Sequence, residues 1–425
     1  MRGVGRWLAL AGVAGFWIDD HVAGVHPIIL ACVLSSLAAV VAAALFRGRA
    51  YAVFAGFLLT IHTLVVVGLQ EQLLQVAPLL IWLQAATVVH VVALVWARLR
   101  PNWYRALVSI PGLYFTAATF LAVPWSIAAA IGLPPYGWWL PFAVSALGVL
   151  QSLHARQEVV DLVLDGEHLP ELRRARVVRR ARTPIDPEGE PLRLVQITDP
   201  HLGPFMSEER LRGICERAVD ADPHLVLLTG DFFTMEGRGD PELLARALAP
   251  LAALEGRTFA CFGNHDHEAP RAVAEGLAAV GVKLLVDDWT MASTPVGDVQ
   301  IVGLDHVWSR RGTHYGEVFA RLPERRGSLR LVLLHDPGGF KHLPVGQADL
   351  VLSGHTHGGH VGLLSLGLDW TSIGAIARMP DHGFWGRGPD RLYVHRANGH
   401  YGFPLRVGVP AEESVLRVHR GENPQ

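Results

Sequence analysis

The chain has 425 residues, half of them hydrophobic and 18% charged, with a formal net charge of −2. That balance excludes the basic excess of a nucleic-acid-binding protein. Its three cysteines, Cys32, Cys215 and Cys261, have neither disulfide nor thiolate-metal spacing, so they read as small buried hydrophobes in a reducing compartment.

Hydrophobicity is concentrated at the start. From Trp7 to Leu153 charges are scarce, whereas from Arg156 onward the pattern is that of a soluble domain. Four apolar stretches, 27 to 46, 51 to 69, 73 to 97 and 105 to 123, are each long enough to cross a hydrocarbon core of about 30 Å. A fifth, 138 to 153, is shorter and begins with Trp138 and Trp139, which suit an interfacial anchor. Residues 7 to 18 after Arg2 and Arg6 read as a signal-like core, an interfacial helix or a short extra span, so four to six spans are expected within residues 1–155. Arg47, Arg49, Arg98, Arg100, Arg105 and Arg156 fall on one side of five alternating spans. The positive-inside rule places that side, and the following domain, in the cytoplasm, with the protein multi-pass in the cell (inner) membrane. His62, Gln84 and His90 lie inside predicted spans and read as interhelical hydrogen-bonding groups.

Residues 156–191 form a linker in which six arginines between Leu172 and Thr183 alternate loosely with apolar residues. The pattern fits a basic patch against anionic lipid or an edge strand with arginine on its solvent face.

Residues 192–425 alternate between strands and helices. Strands are predicted at Leu192 to Thr198, Leu225 to Thr229, Thr258 to Phe262, Lys283 to Trp289, Val299 to Leu304, Leu329 to Leu334 and Asp349 to Leu352. Helices are predicted at Ser207 to Asp220, Pro241 to Leu254 and Arg271 to Val280. Short apolar strands joined by helices give an α/β domain with largely parallel pairing, in which ligands bind beyond the carboxyl ends of the strands.

Polar motifs occupy those strand ends. Asp199 and His201 follow the first strand, Asp231 the second and Asn264 the third, while His335, His355 and His357 follow the last two. Seven oxygen and nitrogen donors without a thiolate suit Mn, Fe, Zn or Co, and Asp231 has two oxygens with which to bridge two ions. Two divalent cations at such a site acidify a shared water and neutralise a phosphate in its transition state. His265, next to Asn264, is placed to protonate a leaving oxygen, with Asp266 expected to fix its tautomer.

The set Asp199-Pro200-His201, Gly230-Asp231, Gly263-Asn264-His265-Asp266, His335 and Gly354-His355-Thr356-His357 resembles the calcineurin-like metallophosphoesterases. The resemblance runs from Leu192 to the C-terminus. It extends to a membrane-attached bacterial branch through Gly-His-Thr-His-Gly-Gly and a later pattern of Gly399, Gly402, Pro404 and Arg406. It implies a four-layer αββα sandwich with two central mixed sheets behind an N-terminal α-helical transmembrane bundle. It also implies two divalent metal ions, Mn favoured over Fe or Zn. Asp199, His201 and His357 would hold one ion, Asn264, His335 and His355 the other, with Asp231 bridging and His265 catalytic.

Some positions depart from the pattern or stand beside it. Pro200 should stiffen its turn. His360, where the branch has Gln, is expected to cap a loop rather than touch substrate. Asp336 is expected to orient His335, and Asp305 and His306 are left outside the site. The expected function is phosphoester or pyrophosphate hydrolysis at the membrane surface, on a phosphorylated small molecule or a lipid-linked substrate, with membrane lipid as the other partner and no nucleic acid. A signalling or transport protein that binds a phosphorylated ligand without turnover is the competing expectation. The sequence carries no signal for an oligomeric state.

Overall fold

The computed structural model describes residues 26–96, 98–175, 190–237, 240–325, 327–402 and 406–420. The segment 7 to 18, the linker arginines beyond Arg174, and Pro404 lie outside the described residues. Two compact units emerge, Met1–Val95 with Ala118–Phe142, and Trp96–Ala117 with Ala143–Gln425.

Among the described residues, three helices are long and apolar enough to cross a membrane: α1 (Pro27–Phe46), α2 (Arg49–Gly68) and α3 (Gln70–Ala93). The expected fourth span is broken. Helices α4 (Asn102–Leu121) and α5 (Val123–Ala130) meet at a bend of 54°, where Pro124 lacks the N–H that would continue the ladder. Helix α6 (Leu140–Leu153) has 14 residues. At 1.5 Å per residue that is about 21 Å, short of the hydrocarbon thickness.

The polar residues in this unit bond one another. His62 Nδ1 lies 2.9 Å from Thr119 Oγ1, and its Nε2 lies 2.9 Å from Gln84 Oε1. Gln84 Nε2 then donates to the Cys32 carbonyl and to the Ser35 and Ser36 hydroxyls. Four helices are thereby tied by one satisfied network, the interhelical role expected of His62 and Gln84.

Among the described residues, thirteen strands form two sheets. One contains, in spatial order, β1 (Ala155–Leu164), β13 (Ala411–Arg420), β3 (Leu192–Ile197), β4 (Leu225–Leu228), β5 (Thr258–Ala260) and β6 (Lys283–Leu284). The other runs β2 (Leu169–Arg174), β11 (Gly383–Gly388), β12 (Asp390–Val394), β10 (Leu350–Ser353), β9 (Leu329–Leu333), β8 (Gly297–Gly303) and β7 (Asp288–Thr294). Both sheets are mixed: β3, β4, β5 and β6 pair parallel, while β13 is antiparallel to β3 and β7 to β8. Residues 155–174, which begin one residue before the segment 156–191 expected as linker or edge strand, supply one edge of each sheet.

The inner faces of the sheets share a core that includes Leu194, Leu227, Leu331 and Leu352. Helices α7 (Glu208–Asp220), α8 (Pro241–Leu248) and α9 (Pro270–Ala278) bury Ile214, Leu244 and Leu277 against the first sheet. Helix α10 (Arg311–Ala320) buries Tyr315 and Phe319 against the second. The result is the four-layer αββα sandwich. Ser207 starts α7 by accepting a hydrogen bond from the Arg210 N–H, and Asp240 starts α8 from the N–H groups of Glu242 and Leu243.

Two elements differ from expectation. The single strand expected at Lys283 to Trp289 is two strands in different sheets, because Asp287 turns the chain with a φ of 50°. The helix expected to reach Leu254 ends at Leu248, and residues 249 to 254 form a 3-10 turn around Pro250.

Leu331 is fully buried between the sheets. Leu331→Ala should therefore destabilise the fold by about 2–5 kcal/mol, read as a lower unfolding midpoint in denaturant, whereas Glu317→Ala on the exposed face of α10 should cost less than about 0.5 kcal/mol.

Candidate metal centre

The motif residues converge at the carboxyl ends of β3, β4, β9 and β10. Asp199, His201 and His357 bring one donor atom each to within 4.8 Å of one another, and Asp231, His335 and His355 do the same. Asp231 Oδ2 connects the two groups, lying 3.2 Å from His335 Nε2 and 3.6 Å from His201 Nε2. Asp199 Oδ1 lies 3.5 Å from His357 Nε2 and 3.8 Å from His201 Nε2. Asn264 Oδ1 is 3.2 Å from His335 Nε2, so all seven expected donors share one locus.

Backbone geometry produces this convergence. Asp199, His201, Asp231, His355, His357 and His360 all adopt positive φ, between 48° and 68°. This left-handed conformation is costly for residues with a Cβ and persists where surrounding contacts fix it. It turns each side chain off its strand end into the space between the motifs. Gly354 and Gly263 make the necessary room. A Cβ on Gly354 would collide with Asp199 Oδ2, and one on Gly263 with Asp231 Oδ1.

The remaining valences are engaged by the protein. His335 Nδ1 lies 2.6 Å from the Thr229 carbonyl, which fixes the proton there and leaves Nε2 as the lone-pair donor. Asp231 Oδ1 accepts the His265 N–H at 2.8 Å, so Oδ2 is the oxygen that faces the histidines. Asp199 accepts from Thr198 Oγ1 and from the His355 N–H. Arg406, fully buried, donates to the carbonyls of Arg396 and Gly399 at 2.8 Å each and to that of His357 at 3.2 Å, so the C-terminal arginine of the branch pattern clamps the His357 loop.

Electrostatics favour cations here. Burial lowers His201 to about 3 and His355 to about 4, so both imidazoles are neutral at physiological pH and able to ligate. Burial also pushes Asp199 up to about 6, where the nearby Asp231 carboxylate adds to the rise and His335 opposes it. For His335 burial is outweighed by Asp231 and Asp199, which hold it protonated up to about 10. Two buried carboxylates therefore draw a proton onto a ligand nitrogen. A divalent cation satisfies the same charge demand while displacing that proton. The donor set fits two such ions: hard oxygens and imidazoles, no thiolate, and one carboxylate facing both groups.

Around the donors the structure corrects several expectations. Asp266 does not touch the His265 ring. Its carboxylate accepts the N–H groups of Asp231, Phe232 and Gly263 at 2.7 to 2.9 Å, tying two motif loops together. Burial, with Asp231 adding, pushes it up to about 7. The His265 ring is held instead by Glu268, whose Oε1 lies 3.1 Å from Nδ1. The spacing of three residues on a helical turn was the available signal. Asp336 does not orient His335. It pairs with Arg311 at 2.7 Å and accepts the Gly338 N–H.

His360 stacks on His357 with centroids 5.0 Å apart, while its carbonyl accepts the Val407 N–H, the loop role expected of it. His306, left outside the site by sequence, lies 6.4 Å from both the His335 and His355 rings. Tyr401 is the neighbour that sequence did not single out. Its ring lies 4.4 Å from His265 and 4.9 Å from His201, at an unspecified position of the Gly399–Gly402 pattern.

Gly354→Ala should leave the sheets intact yet weaken divalent-metal binding by at least about tenfold, because Asp199 must move. Calorimetric titration of the metal-stripped chain with Mn checks this.

Residues 192–359 match the family described as calcineurin-like phosphoesterase. The chain is 28% identical over 219 residues to "Phosphodiesterase YaeI" of Escherichia coli K12, covering 49% of this chain and 78% of that protein. It is 26% identical to an "Uncharacterized metallophosphoesterase" of Helicobacter pylori J99, over 56% of this chain and 62% of that one. A "Transmembrane protein with metallophosphoesterase domain" of Danio rerio is 25% identical over 52% of each chain. Residues 192–359 are thus a calcineurin-like phosphoesterase domain, the catalytic unit of a phosphoester hydrolase.

Proposed function

We propose that this chain hydrolyses a phosphoester or phosphoanhydride bond at a membrane surface, using two divalent cations, with Mn the favoured metal. The observation that carries this reading is the position of Asp231 Oδ2 between the His201 and His335 nitrogens, at 3.6 and 3.2 Å. Asp199, His201 and His357 would hold one cation, Asn264, His335 and His355 the other, and Asp231 both. When bound, the pair supplies an acidified water and neutralises charge on the phosphoryl oxygens.

The residues around the donors supply the rest. His265 stands beside the donors but outside both three-residue groups, with about a quarter of its side chain exposed. Burial lowers its pKa, but the Glu268 hydrogen bond and the Asp231 charge outweigh burial and raise it above the ordinary value. A protonated His265 can therefore donate to the leaving oxygen near neutral pH. Glu268 positions the ring, and Asp266 fixes the loop that carries it. The N-terminal apolar helices and the resemblance to a membrane-attached branch support a lipid-linked phosphate as substrate, and the arginines at 47, 49, 98, 100 and 105 beside those helices support a cytoplasmic face for the domain.

Asp231→Asn removes the shared negative charge without changing shape. Turnover of a model phosphodiester by the detergent-solubilised chain should fall by more than about a hundredfold. Undiminished activity, or activity that survives complete chelation, would sink the assignment.

Glu268→Gln tests the proton donor through its pH profile. A donor must be protonated, so kcat/KM falls as pH rises through the His265 pKa. Loss of the Glu268 charge lowers that pKa and should move the alkaline limb to lower pH. A rate that drops equally at every pH, with the limb unmoved, assigns Glu268 a purely structural role.

A further inference from the structure

Exposed apolar side chains are unevenly spread over the catalytic unit. In the 14-residue stretch 363–376, which follows the Gly-His-Thr-His motif, Leu363, Leu366, Leu368, Trp370 and Ile376 are exposed, Leu366 at 74% and Ile376 at 85%. Elsewhere from Val286 onward, among the described residues, the exposed large hydrophobics are Val286, Met291, Trp308 and Val345, and Trp308 borders the same region. A contiguous apolar surface of this kind marks an interaction site rather than ordinary surface scatter.

The segment is built, not frayed. Leu363 N–H donates to the Trp370 carbonyl, Ser365 N–H to Gly408 and Ser372 N–H to Val361, each at 2.8 to 2.9 Å. Thr371 caps the short helix α11 (Ser372–Ala377) by accepting the Gly374 N–H. Ser372 Oγ donates to the Gly359 carbonyl at 2.8 Å, which fixes the segment to the loop that carries His355 and His357. Its apolar tips are therefore held outward at the rim of the metal centre.

Charge around the tips is mostly positive. Between residues 361 and 380 the only carboxylate is Asp369, and it is paired with Arg174 at 3.3 Å. Beside the segment a cleft of about 590 Å³ is lined by Trp308, Arg310, Arg311, Lys341 and His342, with Asp336 as its one carboxylate. Arg311 is paired with Asp336, but among the described residues Arg310, Lys341 and Arg378 form no ion pair. Apolar tips with an indole among them, bordered by uncompensated cations, match the cross-section of an anionic bilayer: acyl chains below, phosphate headgroups above.

We propose that residues 363–376, with Arg310, Lys341 and Arg378, dock the catalytic unit on an anionic phospholipid bilayer. Docking would bring the rim of the metal centre to the headgroup plane. The membrane-length helices of the same chain keep such a surface at high local concentration, so weak contacts suffice. The proposal concerns where the domain rests, and it stands or falls separately from the hydrolytic chemistry.

The test uses the full chain in proteoliposomes of phosphatidylcholine with or without phosphatidylglycerol. Nitroxide labels are placed at Leu366→Cys and Ile376→Cys, with Asp298→Cys, at the opposite end of β8, as control. The three native cysteines are buried. Accessibility to oxygen and to a nickel chelate reports depth. In anionic bilayers labels at 366 and 376 should favour oxygen, the control should favour nickel, and Arg310→Glu with Lys341→Glu and Arg378→Glu should return both labels to water. Nickel-favouring labels at 366 and 376 in anionic bilayers overturn docking and leave a protein partner as the occupant. Equal depth in neutral and anionic bilayers overturns the role of the cations.

Discussion

Two carboxylates buried among four donor imidazoles are the constraint around which the catalytic unit is arranged. Asp199 and Asp231 have almost no solvent exposure, and His201, His335 and His357 are equally enclosed. Water cannot solvate that charge, and neutral hydrogen bonds satisfy only the outer oxygens. Asp231 and Asp199 answer part of that demand by favouring the protonated form of His335. That is one positive charge shared among groups that can accommodate more. Divalent cations resolve the imbalance with the same atoms in place.

The architecture serves that constraint at every level. Parallel strands of the two sheets end at one locus, so motifs far apart in sequence arrive together. Five donor residues at positive φ then point inward, a conformation the fold sustains through the Asp266 carboxylate, the Thr229 carbonyl and the buried Arg406. Strain of this kind is tolerated where many contacts determine one backbone path. The glycines of the motifs follow from the same crowding, since a Cβ at Gly263 or Gly354 would occupy the place of a carboxylate oxygen.

An α/β domain with its donor set at the strand ends was legible in the sequence because apolar runs announce strands and polar residues stand directly after them; the four-layer arrangement was what the family resemblance implied. What was hidden lies in long-range pairing and local turns. Nothing local predicts that Ala155 pairs with Ala411, or that Asp287 diverts the chain between sheets. Adjacency suggested that Asp266 holds His265, but the 3-10 turn beginning at Asp266 aims its carboxylate at three backbone N–H groups and brings Glu268 to the ring instead. In the apolar third, length and hydropathy marked the helices, while the break at Pro124 depended on a single residue. Exposed leucines after the Gly-His-Thr-His motif could not be told from core until their surroundings were known.

Electron paramagnetic resonance of the full chain titrated with Mn addresses the central claim most directly, because a shared Asp231 carboxylate couples two ions magnetically. The account predicts the hyperfine pattern of an exchange-coupled pair, growing in with phosphodiester turnover and absent from the Asp231→Asn protein. A spectrum of isolated ions at every loading, with turnover already maximal when one ion is bound, would contradict it.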